Sequence, residues 1–467
     1  MLENILYALS DISLVFGIMV LCCNKLFGTP SHRFCFSFSK TIVVISTVFA
    51  VLFYNRTVFN QYFETSVATT LVFVLTCFMI FVWLFCASKW YAINKEYGVI
   101  RFCVLALLLL FCLRLMVQTT HLGVLLIICT VFVFLQYLLF TINRHNEELY
   151  HTGGRYLFVS ALFLSLFAVG VLYFGWDNLN YADVSGYLMQ ISENRRVIMM
   201  LGLICVLLYL LGAAPFHFWL ADQSSPLVLP VASYFALIPI LSLWFVFLKI
   251  NQTIFVNFKD ALENIYLIFG ILSMIFGIIG ANSSHFIKKI FSSVSLYQTG
   301  VLLLVLSNCK ASVVSFCFMY METYLLVLCG IYMCFYMIKI NGEYPNNLSL
   351  LKGLSSARPA VGAAMVFFVF VLMGLPPFCL FLTEFMMMMG EVRHAFIIYA
   401  VLISMVMFVP VYLKIVQTIV FLPREQNFDR VDFALYIGLL FYTALIVILS
   451  VKPQYFLIQE TLLKGVL

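Results

Sequence analysis

Residues 211–219 read LGAAPFHFW and close a long apolar run. Pro215 lacks a backbone N–H and its ring crowds the preceding turn, so a helix through this run breaks there. Bilayer hydrocarbon offers nothing to the carbonyls such a break frees. The interruption survives only where protein or a wet cavity surrounds it. A second interruption, GLPPF at 374–378 with Pro376 and Pro377, lies inside another apolar run. Two interrupted helices in corresponding halves of a polytopic chain point to an ion or substrate path. His217 is then a titratable group beside the first break.

The rest of the chain has the composition such a reading needs. Of 467 residues, 64% are hydrophobic and 10% charged. An ordinary soluble domain carries about 25% charged residues, so this is an integral membrane protein with little soluble mass. A net charge of +6 is small for this length and gives no support for nucleic-acid binding. The 14 Cys lie singly or as Cys22–Cys23, mostly in apolar runs. With no CxxC pair and no Cys/His cluster at metal spacing, they read as buried apolar filler and no metal or cofactor is expected. The 49 Phe and the Cys usage fit a T-rich organellar genome, which the coding DNA would test. The first residues lack a basic region and a small-residue cleavage site, and read as the first membrane helix.

A span needs about 20 mostly apolar residues. Candidates stand near 4–23, 40–55, 68–93, 99–117, 121–142, 156–176, 197–219, 226–250, 265–282, 286–307, 312–340, 359–389, 395–421 and 432–451. The expected fold is an all-α polytopic membrane protein of about 14 helices, two of them proline-broken. It forms one transmembrane domain, 1–467, with broken-helix halves at 99–250 and 265–421 and a C-terminal helix and tail at 432–467. Odd-numbered connections carry more Lys and Arg, among them Lys25, Lys40, Lys95, Arg101 and Arg144. Fewer fall in the even ones and the tails, among them Arg114, Lys249, Lys310, Arg393 and Lys464. The bias places odd loops on the positive side of the membrane, cytoplasm or matrix, and both termini opposite. The linkers are 177–196, 341–358 and 422–431, too short for a soluble domain.

Four stretches in order resemble the antiporter-like membrane subunits of respiratory complex I, NADH–ubiquinone oxidoreductase. They are LYLLGAAPFHFWLADQSSP at 208–226, KKIFSSVSLYQTG at 288–300, LKGLSSARPAVGAAMVFFVFVLMGLPPFCLFLTEF at 351–385 and, more weakly, EELYHTGGRYLFVSALFLSLFAVGVLYFG at 147–175. APFHFW and GLPPF match the chain 2 type, and chain 4 is the nearest competitor. The resemblance implies a fourteen-helix proton-translocating fold with no redox centre of its own. It also implies assembly with other complex I membrane-arm subunits and, for this type, a place in the mitochondrial inner membrane among its lipids.

Members of that family carry a glutamate in the fifth helix and lysines near both breaks. Here the fifth span, 121–143, has no carboxylate, and Gln136 is its comparable polar group. The lysine position before the first break falls on Leu210, the next on Pro239–Ile240, and the one after the second break on Glu384. Gln298 stands where the family has histidine. Glu at 384 is a chain 4 trait.

Charges at membrane depth supply the candidate proton path: Glu384, Glu322, His217, Lys288, Lys289, Tyr297, Gln298 and Gln136. A carboxylate such as Glu322, mid-span, relays protons or sits neutral and hydrogen-bonded as a structural acid. Counted from Gly374, Glu384 stands ten residues on, roughly 15 Å of helix. It is a gating acid or an interfacial carboxylate. Lys288 and Lys289 open a hydrated helix core or anchor the positive side by snorkelling. His217 relays protons at the break or caps the carbonyls freed by Pro215. Asp11 and Arg114 pair or simply stand near span ends. Nothing resembles a nucleophilic triad, a phosphate-binding loop or a haem ligand pair. The expected function is proton translocation within complex I. The alternatives are a proton-inert scaffold of the same complex, its chain 4, and a stand-alone cation/proton antiporter.

Overall fold

The structure is a computed structural model. It describes residues 8–28, 31–54, 56–58, 62–93, 98–142, 147–174, 179–221, 227–307, 311–389, 395–452 and 455. Lys95, Arg144, Lys310, Arg393 and Lys464, which entered the orientation argument, lie outside the described residues.

The helices run α1 (Leu9–Phe27), α2 (His32–Leu52), α3 (Val67–Ile93), α4 (Val99–Gln118), α5 (Leu122–Phe140), α6 (Glu147–Phe174), α7 (Tyr181–Gln190), α8 (Glu193–Leu210) and α9 (Phe218–Ala221). They continue with α10 (Leu229–Thr253), α11 (Lys259–Ser283), α12 (Ile287–Leu306), α13 (Ala311–Met337), α14 (Leu354–Ala357), α15 (Pro359–Leu372), α16 (Cys379–Met389), α17 (Ala395–Val420) and α18 (Phe433–Val451). Among the described residues 11 helices are long and apolar enough to cross a membrane. The first helix and the two interrupted pairs, α8–α9 and α15–α16, complete the expected set.

Three readings need correction. The second span is not 40–55 but His32–Leu52, with Lys40 inside it. Arg114 and Lys249, assigned to connections, lie within α4 and α10 and are buried. Hydropathy ends a span at a cation, yet a cation given partners can enter the fold: the Lys40 ammonium sits 5.7 Å from the Phe85 ring. The linker at 177–196 holds α7, and a hairpin, β1 (Arg56–Val58) with β2 (Phe63–Thr65), was not foreseen.

Contacts divide the chain into two compact units, Met1–Leu211 with Ile238–Phe258, and Gly212–Leu237 with Lys259–Gly465. In the first, α1 and α4 pack together and are tied by the Asp11–Arg114 ion pair, 2.5 Å. The guanidinium also lies over Phe73, 4.1 Å from its ring centre. Lys249 donates to the carbonyls of Val117 (3.4 Å) and Thr119 (3.0 Å). These are carbonyls a helix end leaves without partners, and a cation suits that end.

In the second unit α11 and α12 lie in backbone contact. Added Cβ atoms at Gly270, Gly277 and Gly300 would come within 2.8 Å of Leu304 N, 2.8 Å of Tyr297 N and 2.6 Å of Met274 N. Small residues permit this approach, and without a hydrophobic drive between helices in lipid, close packing supplies the association. It holds Tyr297 at a fixed depth on α12.

Candidate proton-transfer site

The second break shows how the site is assembled. Helix α15 ends at Leu372 and α16 begins at Cys379. Gly374, between them, adopts φ +64°, a region open to glycine at little cost. The Cys379 N–H donates to Ser450 Oγ on α18 at 3.0 Å. The first break is handled the same way. Gly212 adopts φ +70°, and the Ala214 N–H donates to Ser273 Oγ on α11 at 2.9 Å. A serine from a neighbouring helix thus satisfies an amide that each interruption leaves outside the ladder, as hydrocarbon cannot.

Glu384 belongs to the second break itself. It is buried at 4% exposure. Its Oε2 is 2.9 Å from where a Cβ on Gly374 would stand. The 15 Å separation inferred from a continuous helix is therefore wrong. The helix restarts only at Cys379, and side chains on it lean back toward its N-terminus, so the carboxylate returns to the interruption. Among the described residues none donates a hydrogen bond to it.

Three tyrosines, Tyr297 on α12, Tyr320 on α13 and Tyr412 on α17, lie within electrostatic reach of this carboxylate. Tyr297 Oη is 3.1 Å from Ser404 Oγ. Tyr320 donates to Gln298 Oε1. Ser295 and Tyr324 share a 2.7 Å hydrogen bond, and Thr323 and Thr383 one of 3.0 Å. The last joins α13 to α16 one residue from Glu322 and one from Glu384. The Tyr412 hydroxyl is buried and meets no hydrogen-bond partner among the described residues. A hydroxyl both donates and accepts, so groups of this kind can take part in proton transfer without adding a second charge.

The structure thus brings Glu384, Tyr297 and Gln298 into one polar interior, with Glu322 buried at 5% exposure on α13. His217 is half-buried, its ring 5.3 Å from those of Phe218 and Phe276. Lys288 donates to the Leu227 carbonyl at 2.5 Å, about 14 Å along α12 from Tyr297. Lys289 is half-buried, and its carbonyl accepts from Ser292 and Ser293. Gln136 lies in the other unit, where Tyr156 donates to it. There Ser160 donates to the Tyr156 carbonyl and pairs with Tyr209 Oη at 2.5 Å. That series is neutral throughout, and Leu210 beside it is buried.

Sequence reasoning passed over Ser273, Ser450, Tyr320 and Tyr412. Single hydroxyls inside apolar helices commonly glue neighbours together, and nothing in their spacing tells which ones converge.

The family described as NADH:quinone oxidoreductase/Mrp antiporter, TM, matches residues 119–409. NADH-quinone oxidoreductase subunit N of Pelagibacter ubique is 28% identical over 68% of this chain and 68% of its own length. The Francisella tularensis protein of the same name is 24% identical over 90% of this chain and 89% of its own. Among solved structures, a chain of respiratory complex I from Thermus thermophilus superposes with TM-score 0.80 at 16% identity, covering 95% of this chain and 97% of that one. A chain of the Mrp complex from Dietzia sp. DQ12-45-1b gives 0.84 at 15%, covering 99% and 96%. At those identities the likeness is one of fold.

Proposed function

The chain belongs to the NADH:quinone oxidoreductase/Mrp antiporter transmembrane family, and from that premise we propose that it is a proton-translocating membrane-arm subunit of respiratory complex I. The relatives named subunit N, together with APFHFW and GLPPF, support the subunit N or chain 2 type over chain 4. The Phe and Cys usage supports a mitochondrial inner membrane, with the other membrane-arm subunits as partners. Electron transfer from NADH to quinone belongs to those other subunits.

The observation that carries the proposal is Glu384, buried against the left-handed turn at Gly374 and within electrostatic reach of tyrosines on three helices. A carboxyl group placed so is governed by burial and neighbouring charge. A small movement at the break changes its surroundings, and the hydroxyl lining carries the proton to or from it.

The test is Glu384→Gln in the assembled complex, with protons moved per NADH oxidised as the readout. The amide keeps the shape and cannot titrate, so the ratio drops while the complex stays assembled. The proton-inert scaffold reading draws on the neutral Gln136–Tyr156 and Ser160–Tyr209 contacts of the first unit. An unchanged ratio selects that reading.

A further inference from the structure

The first unit carries a groove of about 730 Å³ that the proton path does not use. Its apolar wall is Ile100, Val104 and Leu105 of α4 with Leu138 of α5, and Lys25 of α1 and Arg101 of α4 also line it. Tyr137, Thr141 and Tyr150 contribute hydroxyl-bearing side chains.

The two cations are placed together by the fold. Helices α1 and α4 run antiparallel, and the pair of half-buried Asp11 with buried Arg114 fixes their register at one end. Fourteen residues on along α1 is Lys25, and thirteen back along α4 is Arg101. At 1.5 Å per residue both stand about 20 Å from the ion pair, level with one another. Two cations lining one groove give it a positive field that favours an anionic group between them. Both belong to the positive side of the membrane by the loop bias, where headgroup phosphates lie.

We propose that this groove binds an anionic phospholipid, its acyl chain along Ile100, Val104, Leu105 and Leu138 and its phosphate between Lys25 and Arg101. The residues are separate from those around Glu384, so the proposal stands whether or not the chain moves protons.

Native mass spectrometry of the full-length chain, loaded with phosphatidylglycerol or phosphatidylcholine, tests it. The expected result is one phosphatidylglycerol retained in preference to phosphatidylcholine. In Lys25→Gln/Arg101→Gln that preference falls roughly tenfold or more, the weight of two cations near an anionic headgroup. The lipid-free melting temperature stays the same. Where the double variant does not fold, Leu138→Trp decides. It fills the apolar wall, keeps both cations, and also lowers retention of phosphatidylglycerol. Equal retention of the two lipids by the unaltered chain overturns the proposal, as does an unchanged preference in the folded double variant or unchanged retention in Leu138→Trp. Cross-links from position 104 or 138 to a helix of another subunit in the assembled complex also overturn it.

Discussion

At the residue scale the second break is a contact between one glycine and one acid. Alanine at 374 meets two obstacles: a left-handed φ, which costs roughly 1–2 kcal/mol, and the Glu384 carboxylate 2.9 Å away. Gly374→Ala is therefore expected to lower thermal stability by a modest amount and proton translocation by much more, because the acid moves. Thermal unfolding and proton-to-electron ratio, measured on the same preparation, separate the two. Tyr412 gives the opposite signature. Its buried hydroxyl meets no partner among the described residues, so Tyr412→Phe removes a desolvation cost of about 1–3 kcal/mol rather than a bond. The variant should unfold at the same or a higher temperature, yet translocate fewer protons if that hydroxyl serves Glu384. A variant both unaltered in translocation and less stable would show the hydroxyl to be structural.

At the element scale the broken helices depend on serines from other helices. Ser273→Ala and Ser450→Ala each leave an amide at a break without its partner, and each should cost about 1–3 kcal/mol of unfolding free energy. Their costs should add, since residues without shared partners seldom couple. Denaturant unfolding of the single and double variants checks both statements. That helices stop near Pro215 and near Pro376–Pro377 was legible from proline chemistry alone. That Ser273 and Ser450 complete the breaks was not, because each belongs to a helix far along the chain. The span boundaries failed where a charge found company: Arg114 with Asp11, and Lys249 with two backbone carbonyls. Hydropathy scores a lone side chain, whereas burial depends on the partners it meets.

At the scale of the whole molecule the two units differ in chemistry. The second holds the buried Glu384 within electrostatic reach of three tyrosines, while the first joins Gln136 to Tyr156 and Ser160 to Tyr209. Gln136→Leu in the assembled complex is accordingly expected to leave the proton-to-electron ratio unchanged, at a stability cost of about 1–3 kcal/mol for the lost Tyr156–Gln136 hydrogen bond. A ratio that falls with Gln136→Leu would place part of the path in the first unit.

Composition and the two proline signals by themselves determined a many-helix membrane protein with two interrupted spans. Apolar length, missing donors and the cost of bare carbonyls in lipid act within a few turns of chain. The tertiary structure alone decided that Glu384 returns to Gly374, and that tyrosines on α12, α13 and α17 stand within its electrostatic reach. It also decided that Lys25 and Arg101 line one groove. These are matters of where separate helices meet, and a meeting point is set by packing between residues that the chain order keeps far apart.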